Sequence, residues 1–380
     1  MARQRSIFEE VSDTAKPAAT PGGVSRDRGR ARRLVRGWLV LLFALVVTMI
    51  AVGGMTRLTD SGLSITEWAP LSGAIPPLNA EAWQREFDAY RQIPQYELMN
   101  RGMSLEEFKV IYWWEWGHRQ LGRVIGVVWA LGFFGLLVTR NIPTGWTGRL
   151  LLLGALGGAQ GAIGWWMVHS GLQEGMISVA SYRLATHLGL AFLILGLIAW
   201  FVLKLGREEA QLMQARREGD RKLKGMATGL MHLSFVQIII GALVAGIDAG
   251  RNYIDWPLMA GGFLPPNFWV LEPGWRNLFE NDGTVQFIHR MVGYVIVLMM
   301  IGAWIAARRT ARQATKRAFD WVALGIVAQV VLGIVTVMHS SPWYIAIWHQ
   351  LGAVLVLVLI LRARFLSMYP LPQSVKRATA

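Results

Sequence analysis

The stretch WWEWGHRQLGRVIGVVWALGFFGLLV (113–138) sets a glutamate, a histidine and an arginine at the threshold of a long apolar run. Crossing a bilayer core of about 30 Å takes about 20 mainly apolar helical residues, and the run near 120–139 is long enough. Seven more such runs lie near 35–55, 150–169, 184–204, 226–246, 285–305, 319–338 and 345–365. Of the 380 residues, 53% are hydrophobic and only 16% charged, with a mean hydropathy of +0.37. That balance belongs to an integral membrane protein. The expected fold class is all-α, with eight transmembrane helices.

The net charge of +14 could suggest nucleic acid, but the basic residues gather in alternate links. Arg28, Arg30, Arg32 and Arg33 precede the first span. Arg216, Arg217, Arg221 and Lys222 separate the fourth from the fifth, and Arg308, Arg309, Arg312 and Lys316 the sixth from the seventh. All fall on one side of an eight-span chain, so both termini are expected in the cytoplasm. The basic balance is topology, and no nucleic acid is expected as a partner. Residues 1–33 are polar, rich in Pro and Gly, and lack the apolar segment of a secretory signal. They read as a disordered basic cytoplasmic tail, since Glu9, Glu10 and Asp13 do not suit a transit peptide. The chain has no cysteine, which excludes disulfides, iron–sulfur ligation and thiolate chemistry.

The histidines occupy one layer of this topology. His118, His187, His289 and His349 open the second, fourth, sixth and eighth spans, and His169 and His339 close the third and seventh. An internal repeat explains the pattern. EWGHRQLGRVIG (115–126) matches VQFIHRMVGYVI (285–296), placing His118, Arg119 and Gly122 in register with His289, Arg290 and Gly293. AQGAIGWWMVHS (159–170) resembles AQVVLGIVTVMHS (328–340), and ATHLG (185–189) resembles WHQLG (348–352). DSGLSITEWAPLSGAIPP (60–77) likewise resembles DAGRNYIDWPLMAGGFLPP (248–266). The chain therefore divides into two pseudo-repeated four-helix bundles. One covers 34–205 with a long outer loop at 56–117, and the other covers 226–366. A basic cytoplasmic linker (206–225) joins them, and a tail (367–380) ends the chain.

Each unit offers one histidine from its second helix and one from its fourth. Four-helix bundles build cofactor sites from inward side chains on facing helices, and two neutral imidazoles on opposite sides suit an iron porphyrin. Zinc would need three or four ligands, often with carboxylate or thiolate. One haem-sized site per half is expected. His169 and His339 are read as groups behind the ligands, as proton relays, or as plain interfacial residues. Gly122 and Gly293 follow their histidines by one helical turn, where a missing side chain would admit a flat ring or a neighbouring helix. Arg119 and Arg290 could meet porphyrin propionates or snorkel to the headgroups. GALGGAQGAIG (154–164) reads as a small-residue helix-packing surface. SLEE (104–107) can form a capping box.

The halves differ at one place. Glu115 stands three residues before His118, whereas Gln286 stands three before His289. The first half adds a carboxylate to its site, and the preferred reading is a division of labour between a reacting half and a holding half. A two-haem electron carrier of the membrane cytochrome b type would favour equal halves. A transporter would be expected to show broken helices with polar groups at the midplane.

GGMTRLTDSGLSITEW (53–68), the Glu-x-x-His of EWGHR, the paired histidines and the eight-span layout resemble the haem A synthase family over about 35–365. The absence of cysteine resembles its branch in Gram-negative bacteria and mitochondria. The resemblance implies oxidation of a ring methyl of haem O to formyl, giving haem A for cytochrome oxidase. It implies Glu115 as the catalytic carboxylate, His118 and His187 on the substrate haem O, and His289 and His349 on a resident haem b. It further implies a multi-pass protein of the bacterial inner membrane with its haem sites toward the periplasm. The implied associates are haem O synthase (a farnesyltransferase), cytochrome oxidase assembly factors, membrane lipid and an unnamed electron partner, in a chain open to homo-oligomerisation.

Overall fold

A computed structural model describes residues 22–372, with side chains from residue 29. Its helices in the first half are α1 (Gly22–Leu58), α2 (Ala80–Tyr90), α3 (Pro94–Met99), α4 (Leu105–Val138), α5 (Thr147–Gly171) and α6 (Ser181–Leu205). A short helix, α7 (Glu209–Arg217), precedes α8 (Arg221–Gly246), α9 (Asn277–Glu280), α10 (Asp282–Arg308), α11 (Gln313–Met338) and α12 (Trp343–Met368). Eight of these are long and apolar enough to cross a membrane: α4, α5, α6, α8, α10, α11, α12, and α1 from Gly29. They coincide with the eight apolar runs.

Packing follows the repeat. The helices α1, α4, α5 and α6 contact one another in a ring, as do α8, α10, α11 and α12. The rings meet where α1 and α6 lie against α12 and α8. At this seam Leu39 and Leu42 of α1, Phe192, Leu195 and Ile198 of α6, and Leu357 and Leu361 of α12 share one core. A second core joins Leu230 of α8, Ala303 of α10, Phe319 of α11 and Ile360 of α12.

Polar contacts also cross the seam. Gln350 Nε2 donates to the Ile50 carbonyl at 2.7 Å. Arg57 donates to Asp60 at 3.0 Å in its own half and to Asp248 at 2.6 Å in the other. Both aspartates adopt the left-handed backbone conformation, with φ of 52° and 53°, and they occupy equivalent places in the repeated loop motif.

Residues 1–21 and 373–380, parts of the two tails, lie outside the described residues. Three regions carry more structure than the sequence reading gave them. Residues 22–33, read as disordered, continue α1, because Arg32 reaches across to the carbonyls of Lys204 (2.7 Å) and Arg207. The linker contains α7, with Leu212 and Ala215 buried in the second core. The long outer loop is a folded cap: Tyr90 of α2 and Phe108 of α4 are fully buried, with ring centroids 5.3 Å apart. The capping box forms as expected, with the Ser104 N–H donating to Glu107 at 2.8 Å and the Glu107 N–H to Ser104 at 3.3 Å.

Leu195 is wholly buried at the seam, whereas Leu131 on α4 is 71% exposed on a membrane-spanning face. Leu195→Ala should cost about 2–5 kcal/mol through the cavity it leaves, and Leu131→Ala less than about 0.5 kcal/mol. Unfolding of the purified protein in detergent checks the difference.

Candidate functional site

Two histidine pairs form, one in each ring. The His118 and His187 ring centroids, from α4 and α6, are 6.5 Å apart. Those of His289 and His349, from α10 and α12, are 6.4 Å apart. A metal–imidazole bond is about 2 Å and the nitrogen stands about 1.1 Å from its ring centre, so two imidazoles on opposite sides of one metal would have centroids about 6 Å apart. Among the described residues no group of three or more His, Cys, Asp or Glu comes together.

The rings sit against glycines on the neighbouring helices. A Cβ added at Gly53 would lie 2.9 Å from His118, at Gly164 2.9 Å from His187, at Gly241 3.1 Å from His289, and at Gly333 2.8 Å from His349. These glycines belong to α1, α5, α8 and α11, and they were missed because each lies far in sequence from its histidine. One turn earlier on three of those helices stands a glutamine. Gln160 donates to the His187 carbonyl at 3.0 Å, Gln237 to that of His289 at 2.9 Å, and Gln329 to that of His349 at 2.7 Å. The signal was present as QGAIG (160–164), QIIIG (237–241) and QVVLG (329–333), with MIAVG (49–53) in the fourth place.

The residues fit an iron porphyrin held between the members of each pair. The Nδ1 atoms of His289 and His349 are buried without a hydrogen-bond partner, as are the side-chain oxygens of Gln160, Gln237 and Gln329. Ligation through the far ring nitrogen fixes Nδ1 as a donor, and such donors characteristically find a nearby carbonyl or carboxylate.

Glu115 is 2% exposed and saturated with donors. One oxygen accepts from the Ser64 hydroxyl at 2.8 Å and the Ile65 N–H at 2.9 Å. The other accepts from Arg119 Nη2 at 2.6 Å and Nε at 3.1 Å. Arg119 also donates to the carbonyls of Ile65 at 2.8 Å and Glu67 at 2.7 Å. The second half repeats this clip. Arg290 donates to Gln286 at 2.7 Å, to the Tyr253 carbonyl at 2.8 Å and to the Asp255 carbonyl at 3.0 Å. Polarity reverses at one point: Glu115 accepts from the loop backbone, whereas Gln286 donates to the Ala249 carbonyl at 2.6 Å. Loop tethering is thus a role of both arginines that the sequence reading did not include. Asp255 turns back on its own loop, where the N–H groups of Gly261 and Ala260 hold its carboxyl below the usual range.

Other expected residues lie elsewhere. His169 and His339 are exposed at the ends of α5 and α11, where His339 Nδ1 lies 2.8 Å from the Val335 carbonyl. The structure brings neither into a pair. Gly122 faces Met49, whose methyl would lie 3.2 Å from an added Cβ, and Gly293 faces Gln237 at 3.5 Å. Within the stretch 154–164, Gly154 accommodates the Trp129 ring and Gly164 the His187 ring, but Gly157, Gly158 and Gly161 meet nothing within 4 Å. Its glycines receive a neighbouring ring at the two ends only.

The cytochrome oxidase assembly protein family model (COX15-CtaA) matches residues 36–361. The chain is 70% identical over 378 residues to a heme A synthase of Jannaschia sp. strain CCS1, covering 100% of both chains. It is 66% identical to that of Dinoroseobacter shibae, again covering 100% of both. It is 60% identical to that of Paracoccus denitrificans, covering 99% of each.

Removing Arg119 would strand the buried Glu115 carboxylate, whereas removing Arg290 would strand a neutral amide. Arg119→Leu should cost about 3–5 kcal/mol and Arg290→Leu about 1–3 kcal/mol. Thermal unfolding in detergent reads the ranking, and limited proteolysis should find the 60–70 loop newly cleavable in Arg119→Leu.

Proposed function

The chain belongs to the COX15-CtaA family of cytochrome oxidase assembly proteins, and from that premise we propose that it is a membrane oxidoreductase making haem A from haem O. In this reading His118 and His187 hold the substrate haem O, and His289 and His349 hold a resident haem b. When bound, haem supplies the redox chemistry that an inert ring methyl needs on its way to formyl. The observation that carries the division of labour is Glu115 against Gln286. Equivalent positions hold an anion with four donors beside the first pair and a neutral amide beside the second.

Glu115 is the catalytic carboxylate. Ser64, the Ile65 N–H and Arg119 fix its place, so it is preorganised to stabilise positive charge or to exchange a proton there. Arg119 and Arg290 tether the loops over the two sites, and their charge contributes to holding the propionates. His169 and His339, exposed at the ends of α5 and α11, are interfacial residues. Gly122 and Gly293 give room for the side chains that back the ligands. The basic links lie at the end of the bundle away from the histidines, which supports cytoplasmic termini and haem sites toward the periplasmic side of the inner membrane. Haem O synthase would supply the substrate, cytochrome oxidase assembly factors would take the product, and an electron partner would complete the redox balance.

Haem extraction and chromatography from cells that make haem O test this directly. Wild type should yield haem A, whereas Glu115→Gln should accumulate haem O in a folded, haem-containing protein. If neither yields haem A while both bind two haems in cells with a working electron supply, the chain is an electron carrier instead. His289→Ala should empty the second site first, with the first retaining its haem.

A further inference from the structure

The ligand-bearing helices are backed by four equivalent segments, and these are not the same. Counting back four residues from each glycine that faces a histidine gives Gln160, Gln237 and Gln329 in three places and Met49 in the fourth. Each glutamine anchors to the backbone carbonyl of its histidine. Gln160 also lies 3.2 Å from His187 Nδ1, and Gln237 lies 3.3 Å from His289 Nε2. These contacts are made by the amide nitrogens, and the side-chain oxygens have no partner. Met49 takes the place of Gln237 over the glycine that follows the histidine by one turn, Gly122 in the first half and Gly293 in the second. A thioether is a weak acceptor and no donor. Among the described residues no side chain hydrogen-bonds to His118, whose ring faces His187 and Gly53.

We propose that Gln160, Gln237 and Gln329 are positioning residues that hold His187, His289 and His349 as iron ligands, and that Met49 leaves His118 as the ligand free to swing away. Groups behind a metal ligand orient it, and here each glutamine ties the backbone carbonyl of its histidine to the neighbouring helix. His118 lacks that tie and lies one turn from Glu115 on α4, so it would be the histidine that releases a bound haem, on the helix that carries the carboxylate. The second pair, with a glutamine behind each ring, stays closed. The inference rests on the assignment of the two haem sites given above.

The test uses the purified, haem-loaded protein and carbon monoxide, which binds reduced haem only where a ligand lets go. Wild type should bind carbon monoxide at one of its two haems. Met49→Gln, which gives His118 the missing amide, should weaken that binding by about 10-fold or more, the scale on which groups behind a metal ligand act. Gln237→Met should open the second haem to carbon monoxide and add a high-spin signal to the electron paramagnetic resonance spectrum. Carbon monoxide binding unchanged in either variant overturns the proposal, and Gln237→Met decides alone should Met49→Gln fail to fold. Total haem measured as the pyridine haemochrome separates the two failures. A full haem complement in the double variant His118→Ala, His187→Ala overturns the site assignment itself.

Discussion

Imidazoles placed inside an apolar bundle constrain everything around them. A ring carried on one helix needs room on the next, and Gly53, Gly164, Gly241 and Gly333 provide it, each where an added Cβ would press on the ring. The polar ring atoms need partners too, since a buried unpaired nitrogen costs about 1–3 kcal/mol. Glutamines one turn from three of those glycines anchor to the backbone carbonyls of the histidines, while Nδ1 of His289 and of His349 is buried without a partner. The two-fold repeat meets this requirement twice, with Met49 in the place of a fourth glutamine.

Upon that common frame the halves diverge by single residues. Glu115 and Gln286 occupy the same strut between helix and outer loop, yet one receives hydrogen bonds from the loop and the other donates to it. Arg119 compensates the carboxylate and clips the loop with the same guanidinium, as Arg290 clips its own. A charge so enclosed survives only because both its oxygens are paired. The first clip is thereby an ion pair and the second a guanidinium on a neutral amide, without a change of fold.

The halves are also joined to each other. Gln350, next to His349, reaches the α1 backbone at Ile50, one turn from Gly53. Arg57 links the two equivalent aspartates at the outer rim of the seam. The helix that backs His118 is therefore held by the half that carries the second pair, so the two sites share a wall.

The spans, the repeat, the capping box at Ser104 and the pairing of His118 with His187 and of His289 with His349 were all legible in the sequence. Hydrophobic length and residue spacing are local properties, and a repeat records its own register. The glycine behind each ring, the glutamines, the use of Arg119 and Arg290 as loop clips and the outward position of His169 and His339 were decided only by the tertiary structure. Each depends on how one helix is rotated against another, or on where a loop folds back. That rotation is set by packing of the whole ring of helices around Leu195 and its neighbours, and no single helix records it in its own period.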